Sequence, residues 1–158
     1  MVRTRVRRLP RHLYTGERSV AFTACTKDRE VLFLQPKDID SHVDNLRRAA
    51  DACDCVVPIY CFMPDHLHVM FKGLDATSDT LAAMVKFKLL SGLWFRRKGL
   101  PGWQADFWDH AIRGHVDWRA HATYIAHNPV RAGLVGNPFD YPLLGSIGCD
   151  LSDVILGW

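Results

Sequence analysis

The sequence predicts an α+β fold: a ferredoxin-like β-α-β-β-α-β antiparallel sheet with helices on one face and an added C-terminal helix that carries Tyr124. Three observations predict it. Val56 to Phe62 and His66 to Lys72 are rich in strand formers and flank the breaker Met63-Pro64-Asp65, which reads as a β-hairpin. A strand-like run and a helix precede that hairpin, and a long helix and a further strand follow it. The chain has 158 residues, 48% of them apolar, enough for one domain around one core.

In order, Ser19 to Thr26 (SVAFTACT) alternates in part and is the first strand. Asp38 to Cys53 is a helix, with Asp38 or Asp40 as its cap and Val43, Leu46 and Ala50 on one face. After the hairpin, Thr77 to Lys98 is a long helix whose Leu81, Val85, Leu89 and Leu93 recur every four residues as an apolar stripe, flanked by Met84 and Trp94. Gly99-Leu100-Pro101-Gly102 stops it. Phe107 to Arg113 is a fourth strand, and a last helix from Asp117 to His127 ends at Asn128, because Pro129 disfavours helical geometry in the residue before it. The chain divides into a basic arm (1–18), one domain (19–145) and a tail (146–158).

Composition narrows the function classes. The longest stretch without Asp, Glu, Lys or Arg runs only from Ala120 to Val130, too short to span a bilayer, and the basic N-terminus lacks the apolar run of a secretory signal. The expectation is a cytoplasmic protein. Its five cysteines have no repeating spacing and read as small core residues, not as a disulfide framework. The net charge of +3 is strongly polarised. Arg3, Arg5, Arg7, Arg8 and Arg11 at the start, and Lys86, Lys88, Arg96, Arg97 and Lys98 on the long helix, hold ten of the 20 bases, and neither run contains an acid. The remainder is net acidic, so two basic patches on an acidic body point to a polyanionic partner. Trp94, Trp103 and Trp108 can stack on bases, though core packing is the expected use of at least two.

His66-Leu67-His68 lies in a strand, where alternation turns both imidazoles to one face and Leu67 to the other. Two imidazoles so spaced can converge on one divalent cation, with acceptors behind them orienting the rings. On the last helix Trp118, Ala122 and Ile125 form a buried stripe, and Asp117, His121, Tyr124 and Asn128 a polar one beside it. Spacing alone leaves Tyr124 as either a nucleophile or an amphipathic residue at the core edge. It leaves Asn128 as either a hard metal ligand or a helix-end residue.

Tyr60-Cys-Phe-Met-Pro-Asp-His-Leu-His-Val-Met-Phe71 and Tyr124-Ile-Ala-His-Asn-Pro-Val-Arg-Ala-Gly-Leu-Val135 together resemble the single-tyrosine transposases of the IS200/IS605 type, in the HUH nuclease superfamily, and more closely the REP-associated tyrosine transposases. Phe22-Thr-Ala-Cys-Thr26, Val85 to Ser91 and Phe107 to Arg113 match in order, so the resemblance covers most of residues 19–145. It implies Tyr124 as nucleophile, His66, His68 and Asn128 as ligands of Mg²⁺ or Mn²⁺, and single-stranded DNA with REP-like hairpins as substrate. Insertion-sequence members often carry Gln where Asn128 stands, whereas Asn fits the Tyr-Ile-x-x-Asn-Pro pattern of the REP-associated branch. The implied chemistry is strand cleavage and rejoining through a 5′-phosphotyrosine, in a monomer with the tyrosine acting in cis or in a homodimer. A phenol is mostly protonated at neutral pH, so the metal or a base such as His121 must assist it. Arg3, Arg5, Arg7, Arg8, Arg11, Lys86, Lys88, Arg96 and Arg97 are the candidate DNA contacts. The rival readings are a non-catalytic hairpin-binding module and a phosphodiesterase that uses water in place of Tyr124.

Overall fold

The computed structural model describes residues 6–157; Arg3, Arg5 and Trp158 lie outside the described residues. Five strands, β1 (Ser19–Cys25), β2 (Cys55–Met63), β3 (His66–Gly73), β4 (Trp108–Ala111) and β5 (Leu144–Ile147), form one antiparallel sheet in the order β4-β1-β3-β2-β5. The first four are the ferredoxin-like set. β5, which the sequence does not announce, adds to the free edge of β2, and the expected boundary between residues 145 and 146 falls inside it. Gly145 suits that edge because Tyr60 on β2 fills the space a Cβ would occupy.

The helices are α1 (Asp40–Ala52), α2 (Thr80–Arg97), α3 (Gly114–Ala126), α4 (Asn128–Arg131) and α5 (Leu151–Leu156). Strand alternation sorts the sheet into two faces. Val20, Phe22, Phe62, Leu67, Val69 and Phe71 meet α1 and α2, while Ala21, Ile59, Cys61 and Met70 lie on the side covered by α3 and α5. The helix that carries Tyr124 therefore lies across the sheet from α1 and α2. No helix among the described residues is long and apolar enough to cross a membrane.

Several local expectations are corrected. Neither Asp38 nor Asp40 caps α1; the Asp38 carboxylate accepts from the Leu34 and Gln35 N–H groups and closes the preceding 3₁₀ turn. Asp79 caps α2, accepting from Ala82 N–H at 2.9 Å. The stripe Val85, Leu89 and Leu93 faces solvent, and α2 buries Ala83, Met84, Phe87, Ser91 and Phe95 instead. This helix is apolar nearly all round, and the face with two phenylalanines fills more core volume. Asn128 does not end α3 but opens the single turn α4, with Pro129 in its first turn, where a missing N–H costs nothing.

Leu9 to Tyr14 and Arg8, in the described part of the segment before residue 19, pack on the body. Tyr14 is buried, its hydroxyl donating to Asp109 and accepting from the Leu9 N–H. Burial first, then the Asp109 contact, pushes that phenol above its ordinary pKa. Trp103 packs among Phe33, Phe87 and Phe95 and donates to Ser91 Oγ, Trp94 packs on His42, and Trp108 is exposed. All five cysteines are free thiols, three of them buried, and burial pushes Cys55 and Cys61 up to about 12.

Candidate active site

Sheet register builds one side of the site. Trp108, Thr23, His68, Cys61 and Leu144 form a lateral row across β4, β1, β3, β2 and β5. His66 lies in the adjacent row on the same face, between Cys25 and Met63, and its ring meets that of His68 edge-on at 4.9 Å. Each imidazole is held through Nδ1. His66 Nδ1 donates to Asp65 Oδ1 at 2.7 Å, and His68 Nδ1 meets Thr23 Oγ1 at 3.0 Å. Both Nε2 atoms are left without a protein partner among the described residues, the arrangement expected of metal-binding histidines oriented from behind.

Asp65 is itself anchored by Arg29 Nε at 3.0 Å. Burial works against its ionisation, but the contacts with His66 and Arg29 hold its carboxyl below the usual carboxylate range. Burial, reinforced by the neighbouring charges of His66, Arg131 and His121, pushes His68 down to about 4, so its ring is neutral at pH 7 and offers a lone pair.

α3 and α4 build the other side. Ala122 and Ile125 are buried against the sheet, and Trp118 is half-buried with them. Tyr124 consequently points outward with 56% of its surface accessible. Of the four tyrosines, Tyr14 and Tyr141 are buried and Tyr60 half-buried, so Tyr124 alone offers an accessible phenol. The Arg131 guanidinium lies 3.9 Å from the centre of the Tyr124 ring, donates to Tyr124 O at 2.7 Å, and reaches Asn128 Oδ1 at 3.3 Å. Asn128 Nδ2 is buried without a partner among the described residues. His121 lies one turn before Tyr124, ring centres 6.5 Å apart, and stacks on His110 of β4 at 4.6 Å and 3°. Burial, then His110, lowers the pKa of His121, with Asp117 opposing.

The residues named from sequence thus separate into two groups. His66, His68, His121, Tyr124 and Asn128 lie on one side of the sheet, where Arg131 contacts Tyr124 and Asn128. Among the basic residues, Lys86, Arg96 and Arg97 are exposed on α2 and Arg7 near the start of the described chain. Lys88 is not available to a phosphate: its Nζ donates to Gln104 O at 2.7 Å and Asp106 O at 3.3 Å, and burial pushes it down to about 8. Arg8 pairs with Asp109 at 2.8 Å and Asp106 at 3.1 Å, and Arg11 pairs with Asp79. Sequence reasoning missed Arg131, Thr23 and Asp65 as partners of the named residues. Asp65 and Arg131 carry a signal, one being adjacent to His66 and the other two helical turns beyond Tyr124. Thr23 carries none, since only strand register brings it to His68.

Known proteins resemble this chain in sequence and in fold. No family model matches the chain. It is 32% identical to a REP-associated tyrosine transposase of Escherichia coli K12, over 51% of this chain and 47% of that protein. It is also 32% identical to a protein of Haemophilus influenzae Rd assigned to the same group, over 52% of this chain and 53% of the other. The fold matches a solved REP-associated tyrosine transposase bound to a REP hairpin, with a TM-score of 0.73 and 24% identity, over 89% of this chain and 81% of that one. In sequence and in fold the chain is similar to the REP-associated tyrosine transposases. It spans about half the length of the curated transposases it matches.

Proposed function

We propose that the chain is a REP-associated tyrosine transposase that cleaves and rejoins single-stranded DNA beside hairpins, with Tyr124 as nucleophile. One observation carries the reading: an accessible tyrosine, capped by an arginine, shares a sheet face with two histidines whose Nδ1 atoms are engaged and whose Nε2 atoms are free. The similarity to REP-associated transposases, one of them solved with a REP hairpin, supports the DNA-hairpin partner.

His66, His68 and Asn128 are the candidate ligands of a divalent ion, Mg²⁺ or Mn²⁺; the two imidazoles suit Mn²⁺ better than Mg²⁺, and Asn128 would ligate through Oδ1, which Arg131 contacts, whereas its unpartnered Nδ2 is a donor that suits a phosphate oxygen. Such an ion supplies charge neutralisation at a nonbridging oxygen of the scissile phosphate. The Tyr124 oxygen attacks phosphorus, its bond to phosphorus forms as the P–O3′ bond breaks, and the 3′ oxygen leaves as a hydroxyl after taking up a proton. The phenol proton leaves to solvent, which reaches the exposed ring. The downstream strand is then held as a 5′-phosphotyrosine, and attack by another 3′-OH restores a phosphodiester without ATP. Arg131 keeps the Tyr124 ring in place and presents a fixed positive charge to the incoming phosphate. His121, stacked on His110, acts as a positioning residue rather than a proton acceptor. Exposed Lys86, Arg96 and Arg97, with Arg3, Arg5 and Arg7, contact phosphates, and Trp108 at the site's edge stacks on a base.

A denaturing gel tests the reading, using 3′-labelled single-stranded hairpins from the DNA flanking the gene. A slow-migrating protein–DNA adduct is expected with Mg²⁺ or Mn²⁺ and is lost with chelator. Hairpin binding with neither adduct nor cleavage would instead make the chain a binding module, and cleavage retained by Tyr124→Phe would make it a water-using phosphodiesterase.

A further inference from the structure

We propose that His110, Asp117 and His121 form a separate binding site for a divalent transition-metal ion, of the Zn²⁺ or Co²⁺ class, that clamps the start of α3 onto β4. The three side chains each offer one ligand atom, and these atoms all lie within 4.8 Å of one another. His110 Nε2 and Asp117 Oδ2 are 3.5 Å apart. Tetrahedral zinc with bonds of about 2.0 to 2.2 Å holds its ligand atoms about 3.4 Å apart, so this pair is already at coordination spacing.

The placement has a simple origin. Asp117 and His121 are four residues apart on α3 and so share one helix face. His110 belongs to β4, opposite Ala21 in the sheet, on the face that α3 covers. The two imidazoles lie parallel, 3° apart with ring centres at 4.6 Å. A metal lies in the plane of each imidazole that binds it, so binding requires one ring to tilt out of the stack. His110 has that room, its side chain being 53% exposed on the edge strand, and the carboxylate is 34% exposed. The donor set decides the class of ion: two imidazoles and one carboxylate favour borderline transition metals, whereas Mg²⁺ prefers oxygen ligands and retains its waters. Three protein ligands leave a fourth position open.

The site is distinct from the His66–His68 pair in its ligands, and it does not depend on the DNA-cleaving reading. Its occupation would join a strand to the helix that carries Tyr124 one turn past His121, and would commit the His121 ring to the metal.

The test is Co²⁺ binding to the full chain carrying His66→Ala and His68→Ala, with bound metal counted after equilibrium dialysis and the visible Co²⁺ absorption recorded. The expectation is one tightly bound Co²⁺ per chain, displaced by Zn²⁺ but not by excess Mg²⁺, and a rise in Tm. Adding His110→Asn, an exposed position, should weaken binding at least tenfold and abolish the absorption. On the otherwise unaltered chain, His110→Asn should lower the Zn²⁺ count by one, which keeps the test open if the double variant does not fold. No Co²⁺ bound by the double variant in its folded form, or an unchanged count in His110→Asn, would overturn the assignment.

Discussion

Arg131 stacks its guanidinium on the ring of Tyr124 at 3.9 Å while donating to the backbone oxygen of the same residue at 2.7 Å. A single arginine from α4 thus fixes both the backbone end and the ring of the proposed nucleophile. The i+7 spacing puts it two turns on, and Pro129 does not interrupt the geometry because the chain re-enters a helical turn at Asn128.

Arg131→Ala should slow single-turnover cleavage of a saturating hairpin by about tenfold or more, since the tyrosine loses its ring contact and the phosphate a fixed charge. Arg131→Lys should recover only part of that loss, because an ammonium keeps charge but not the planar stack. Equal rates in Arg131→Ala and the natural chain would show that the stacking is incidental.

Thr23→Val and Asp65→Ala remove the partners behind His68 and His66 and leave the Nε2 atoms intact. Each should weaken Mn²⁺ binding by about 10- to 100-fold with little effect on fold, measured by calorimetric titration. Unchanged affinity in both variants would mean that the two histidines do not form the metal site.

His42 governs part of the acid sensitivity. It is fully buried among Phe33, Phe62, Trp94 and Phe95, its ring nitrogens have no partner, and burial pushes it down to about 4. In the unfolded chain it titrates near its ordinary ~6.5. Between these values the unfolded state binds the extra proton, so stability is full above pH ~6.5 and falls as pH drops towards 4, by about 3 kcal/mol in all. Urea unfolding of the natural chain and of His42→Phe should diverge over this window, with the variant losing less stability on acidification. Parallel losses would exclude His42 as the source.

The basic residues before β1 should divide by role. Arg8→Ala leaves the nearly buried Asp109 carboxylate with the Tyr14 hydroxyl but without its cation and should cost about 2 kcal/mol of stability. Replacing Arg3, Arg5 and Arg7 together with Ala should leave Tm nearly unchanged. It should flatten the salt dependence of hairpin binding by a slope of about 2 to 3, one phosphate contact each. A lost slope in Arg8→Ala with none lost in the triple variant would reverse the assignment.

What was legible in the sequence followed from local spacing. The hairpin around Pro64, the common face of His66 and His68, and the stripe that turns Tyr124 outward all depend on residues within a few positions of one another. Features set by distant packing were not legible. α2 offers apolar residues on nearly every face, so its pattern could not say that Phe87 and Phe95 would displace Val85 and Leu89 from the core. β5 is four residues long with a glycine and a serine, too short for a period, and exists because β2 has an open edge. Lys88 and Arg8 read as free cations until the fold brought carbonyls and carboxylates to them.

The central claim is that Tyr124 attacks DNA, and it is tested most directly by mapping the covalent adduct. The chain is incubated with Mn²⁺ and a hairpin substrate, the product is digested with nuclease and protease, and the nucleotide-bearing peptide is identified by mass spectrometry. The account predicts a nucleotide mass on the peptide that contains Tyr124 and on no peptide containing Tyr14, Tyr60 or Tyr141. A nucleotide on another residue, or cleaved DNA with no modified peptide, would contradict it.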